Sequence, residues 1–182
     1  MKLDHGKPSV LVIPLFFLGV GLAPGGDAPA AAISRSCNSP EHRQFDFWVG
    51  DWDVVDPQGH PAGTNSITLE MEGCALQEHW RAADGTQIGS SFNVYYPPAR
   101  RWHQTWVDST GGFLLLSGGL EGGKMSFTGD MPGREGGVVK HRLSFEKTGP
   151  GGSRVRQLWE ASRDDGKTWR VVFDGTYVRR KR

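Results

Sequence analysis

A chain of 182 residues with 37% hydrophobic and 10% aromatic content is too apolar to stay disordered and fits one domain with a true core. Its 21 Lys and Arg against 20 Asp and Glu leave a net charge of +1, which gives no electrostatic case for nucleic acid or an anionic membrane as partner. Twenty-six glycines and 11 prolines, without any long helical periodicity, point to short strands joined by tight turns.

The first stretch reads as a targeting segment. Lys2 and Lys7 precede an apolar run over 10–23, VLVIPLFFLGVGLA, which Pro14, Gly19 and Gly21 interrupt. The run is short for a membrane span, and the small residues GGDAPAAA that follow offer peptidase sites. The pattern predicts a signal peptide over 1–32, cleaved after Ala32, and an exported domain over 33–182, periplasmic or secreted, with no integral membrane segment after processing. An uncleaved anchor is the alternative. A lipoprotein fits less well, because Arg35 and Ser36 stand before Cys37 where small or apolar residues are expected.

Cys37 and Cys74 are the two cysteines of the chain. In an oxidising compartment an even pair reads first as a disulfide, here closing about 38 residues and worth about 4 kcal/mol in the chain-entropy account. Two free thiols remain the alternative, since spacing alone does not bring the Cα atoms together.

After a polar loop over Ser36–Gln44, the apolar FDFWVG from Phe45 to Gly50 predicts a short turn or one-turn helix plugging one end of the fold. Strand-like stretches then recur over Asp51–Asp56, Gly63–Glu72, Ala75–Ala82, Gln87–Tyr96, Arg101–Asp108, Phe113–Glu121, Lys124–Asp130, Val138–Lys147, Arg154–Ser162 and Thr168–Val178. The connectors, among them ADGT, STGG and RDDGK, carry the Gly and Asp-Gly of hairpin turns. Short links make sequence neighbours spatial neighbours. The fold class is therefore all-β, a single closed antiparallel up-and-down barrel of about ten strands, whose closure removes exposed edges.

Alternation assigns faces. Ile67, Leu69 and Met71 are expected inward on the second strand. Val139, His141, Leu143 and Phe145 are expected inward on the eighth, and Trp169, Val171, Phe173, Gly175 and Tyr177 on the last. Two strands carry polar residues inward with their aromatics: Leu76, Glu78 and Trp80 on one, and Trp102, Gln104, Trp106 and Asp108 on the other. Acids pointing into a barrel are costly unless hydrogen-bonded or wet, so they suggest a solvated cavity.

The opening FDFWVGDWDV, with Gly50-Asp51-Trp52, is similar to the Gly-x-Trp start of lipocalin-like (calycin) barrels. Together with GCALQEHW, RWHQTWVDSTGG, RQLWEASRDDGKTW and FDGTYVRR, it resembles a family of uncharacterised exported bacterial proteins, a domain of unknown function. The lipocalin resemblance implies that Trp52 packs under Arg179 or Arg180 and seals the closed end. About ten strands is nearer to the intracellular fatty-acid-binding barrels than to secreted lipocalins, which have eight. Nitrobindin-like barrels hold haem through a late histidine, and no His follows His141 here, so no cofactor is carried over.

Three functions stay open. A binding protein would hold a small apolar or amphipathic molecule inside the barrel, lined by Glu78, Trp80, Trp102, Gln104, Trp106 and Asp108, with His141 and Gln157 as additions. An isomerase- or hydrolase-type enzyme would use Glu78 or Asp108 as base. A structural or interaction module would have a filled barrel, its tryptophans (Trp159 among them) serving as core and its polar groups fixing register. No clustered histidines predict a metal site, and His103 and His141 stand alone.

Overall fold

Period-two alternation broken by Gly-rich turns folds into ten strands: β1 (Gly50–Val55), β2 (Pro61–Glu70), β3 (Ala75–Ala82), β4 (Ile88–Tyr96), β5 (Arg101–Asp108), β6 (Phe113–Glu121), β7 (Lys124–Pro132), β8 (Val138–Thr148), β9 (Arg154–Ser162) and β10 (Arg170–Arg179). The computed structural model describes residues 37–181; the expected signal peptide lies outside them. Every strand pairs antiparallel with its sequence neighbours, and β1 closes on β10, giving the up-and-down barrel the turn spacing predicts. No helix among the described residues is long and apolar enough to cross a membrane.

One end is plugged. Two 3₁₀ turns, Pro40–Arg43 and Asp46–Trp48, carry Phe45 and Trp48 fully into the barrel. Phe45 stacks on Trp48 at 4.9 Å and meets Phe145 at 5.0 Å, while Trp48 meets Phe145 at 4.6 Å. Such offset and edge contacts add to the burial of large rings. Cys37 and Cys74 are bonded, with Cα atoms 5.0 Å apart, which ties the plug to the β2–β3 turn. The Arg43 guanidinium donates to the Gly73 carbonyl of that same turn. Trp52 lies under Arg179, its strand partner, and Arg180 instead pairs with Asp53 at 2.7 Å.

On two strands the faces differ from those that alternation predicts. Met71 is 68% exposed and Leu69 41%, not core. β2 stops at Glu70 because Met71 and Glu72 adopt positive φ in a tight turn, which ends the alternation, and Leu69 stands at the rim. On β10 the register shifts between Val171 and Phe173, so one extra residue inverts the face. Phe173, Gly175 and Tyr177 turn inward as expected. Val171, however, is 61% exposed, and Trp169 stacks on Arg142, which pairs with Glu160 in an exposed bridge.

Candidate functional site

Away from the plug, the barrel holds a cavity of about 380 Å³. Its walls include Trp80, Trp106, Trp159, Phe173, Leu114 and Leu143, and its floor and sides carry Glu78, Gln104, Gln157 and Tyr177. Asp108, Thr110, Gly112, Gln87, Arg134 and Val172 complete the lining.

Glycines make room for the flat rings. A Cβ on Gly89 would run into the Trp106 ring, and one on Gly63 into Trp80 and the Arg81 carbonyl. Each ring therefore lies against bare backbone of the neighbouring strand. Trp80 also meets Phe173 edge-on at 5.5 Å.

The floor is a hydrogen-bonded chain that crosses six strands. Tyr177 donates its hydroxyl proton to Gln157. Asn65 donates through Nδ2 to the Tyr177 oxygen at 3.2 Å and to Glu78 Oε1 at 2.7 Å. Ser91 donates to Glu78 Oε2 at 2.6 Å. Asn93 donates to Ser91 at 3.0 Å, and Gln104 donates to Asn93 at 2.8 Å. Antiparallel pairing puts these side chains at one depth: Asn65 stands two residues from Ile67, the partner of Glu78, and Glu78 pairs with Ser91.

Glu78 is 4% exposed. Burial raises its carboxyl to about 7, against the opposing pull of the Ser91 and Asn65 hydrogen bonds. Burial and the nearby Glu78 also push the Tyr177 phenol well above its ordinary range.

Asp108 is the opposite case. Burial would raise its carboxyl, but hydrogen bonds outweigh it and hold it at about 2. Oδ1 accepts from the Thr110 hydroxyl at 2.6 Å and from the backbone N–H groups of Thr110 and Gly112 at 2.8 and 3.0 Å. Oδ2 accepts from Trp106 Nε1 at 3.1 Å and Gln87 Nε2 at 3.0 Å. A carboxylate so occupied and so weakly basic organises the β5–β6 turn and orients Trp106; it is a poor general base.

The structure thus brings Glu78, Trp80, Gln104, Trp106, Asp108 and Gln157 around one cavity. It does not bring Trp102 or His141 to that lining. Trp102 faces inward but belongs to the plug, donating Nε1 to the Glu41 carbonyl and to Gln44 Oε1, each at 3.2 Å. His141 is half-buried behind Trp159 and accepts its indole N–H on Nδ1 at 3.0 Å. Burial lowers the His141 pKa, partly offset by Asp130, and the indole bond requires a free lone pair on Nδ1.

Asn65, Ser91 and Asn93 also belong to this network, and no aromatic neighbour on their own strand marks them inward. Alternation anchored on Ile67 does place Asn65 inward. On β4 the apolar signal points the wrong way: Ile88, Phe92, Val94 and Tyr96 face out, while Ser91 and Asn93 face in. Neither a protein-family model nor a curated protein matches the chain.

Proposed function

We propose that this is an exported protein whose barrel holds a small apolar or amphipathic molecule, its body among Trp80, Trp106, Trp159 and Phe173 and its polar end toward Glu78, Gln104 and Gln157. The observation that carries the reading is the cavity itself. About 380 Å³ lies at the small end of the range of ligand pockets, and an apolar wall with a few convergent polar groups is their usual composition. The open half also counts against a barrel filled throughout. The Cys37–Cys74 bond fits an oxidising compartment, as does the resemblance to a family of uncharacterised exported bacterial proteins.

Native mass spectrometry of the protein isolated from its own compartment tests the reading. The wild type should carry a small-molecule adduct that organic solvent strips away. Gly89→Val, which drives Trp106 into the cavity, should fold with the same β-sheet circular dichroism and lose the adduct. Adduct retained in the variant would place the ligand elsewhere.

One observation favours a second reading, proton transfer on a bound substrate. Glu78 is held at about 7 on the cavity floor, where a general acid or base works best. In that case Glu78→Gln would abolish turnover and keep binding.

A further inference from the structure

We infer that the occupant is an organic cation, a small protonated amine on an apolar body, with its ammonium turned toward Glu78 and its body against Trp80, Trp106, Trp159 and Phe173. This rests on the binding reading above and specifies the class of ligand.

The charges of the lining support it. Two carboxylates, Glu78 and Asp108, line the cavity. The single cationic side chain in that lining, Arg134, is exposed at the rim, where its guanidinium donates to the Thr110 carbonyl at 3.0 Å. An anionic ligand would meet both acids at close range. A cation meets them with attraction, strengthened by the low dielectric of a buried site.

The hydrogen-bond inventory of the floor points the same way. When Glu78 is ionised, each of its oxygens accepts one bond and has room for another. Gln104 gives one of its two N–H groups to Asn93, which leaves its carbonyl oxygen and its second N–H toward the cavity. Beside these acceptors stand the amide of Gln157, whose oxygen is taken by Tyr177, and the second N–H of Gln104. The acceptor sites that ionised Glu78 adds suit an N–H donor, and an ammonium brings up to three.

The walls complete the match. The indole N–H groups of Trp106 and Trp159 are committed to Asp108 and His141. What those rings offer is their electron-rich faces, the surface that attracts ammonium groups in aromatic cages.

Glu78 also couples binding to protons. The groups that face it are Asn65 from β2, Ser91 from β4 and Tyr177 from β10, with Gln104 and Gln157 further along the chain of bonds. Of these only Tyr177 titrates, and its phenol stays protonated. In the empty barrel Glu78 titrates near 7. A bound cation favours the carboxylate, so binding expels the Glu78 proton, and affinity rises with pH across that window.

Three probes of one shape decide it by calorimetry: naphthylethylammonium, naphthylethanol and naphthylacetate. At about pH 8 the ammonium should bind the wild type about tenfold or more tightly than the alcohol, with the acetate weakest. Titrations in buffers of different ionisation heat at about pH 7 should show proton release with the ammonium and none with the alcohol. Glu78→Gln should keep alcohol binding and lose the preference and the proton release. If that variant does not fold, the wild-type ranking and proton count decide alone. Alcohol or acetate binding as tightly as the ammonium would overturn the cation and leave the binding reading standing. Failure of all three probes to bind would overturn both.

Discussion

The Arg179 guanidinium lies 4.3 Å from the centre of the Trp52 ring, and the two residues are direct partners across the β1–β10 seam that closes the barrel. Trp52 is fully buried and donates Nε1 to the Trp48 carbonyl at 2.8 Å; Arg179 reaches over it to the Val49 carbonyl at 3.1 Å. Seam and plug are thus fastened at one point. Trp52→Ala should cost about 3–5 kcal/mol, the range for truncating a buried aromatic. Arg179→Met should cost about 0.5–1 kcal/mol, because the cation is exposed. Urea unfolding measures both, and a loss below about 1 kcal/mol for Trp52→Ala would show that the seam does not depend on it.

The buried Glu78 makes stability depend on pH in a defined direction. Its folded-state pKa of about 7 stands above its ordinary 4.5. Between these values the folded chain holds a proton that the unfolded chain has lost. Its contribution is therefore fully present below 4.5 and is lost as pH rises through 7, a change on the order of 3 kcal/mol. Glu78→Gln carries no such titration. Urea midpoints from about pH 4.5 to 8 should fall more steeply for the wild type than for the variant. Parallel curves would mean that Glu78 is ionised and compensated in the fold.

Asp108 should behave as a turn organiser. Asp108→Asn weakens the acceptor that holds Thr110, Gly112, Gln87 and Trp106. A loss of about 1–3 kcal/mol is expected, with faster amide exchange at Thr110 and Gly112. Because its carboxyl is held at about 2, below the ordinary 3.8, the wild-type contribution is present above 3.8 and is lost as pH falls through 2. Unchanged exchange at Gly112 would remove Asp108 from this role.

Much of this molecule was legible in one dimension. Hairpin turns such as ADGT and RDDGK, spaced by runs of six to eleven residues, determine an antiparallel meander, because short links permit little else and closure removes the edges. The apolar FDFW stretch announced the plug, and the inward acids Glu78 and Asp108 announced a cavity that is not all hydrocarbon. Tertiary structure decided the rest. Alternation tells which face a side chain is on and not how far along the barrel it lies, so Trp102 and Trp106 read alike although one packs in the plug and the other in the cavity wall. One extra residue at the β10 bulge sends Val171 outward, and no local pattern marks it. Glu78 and Asp108 look equivalent as letters; their opposite proton affinities arise because one is buried with two donors and the other is ringed by five. Those donors come from strands and turns that only closure of the barrel brings together.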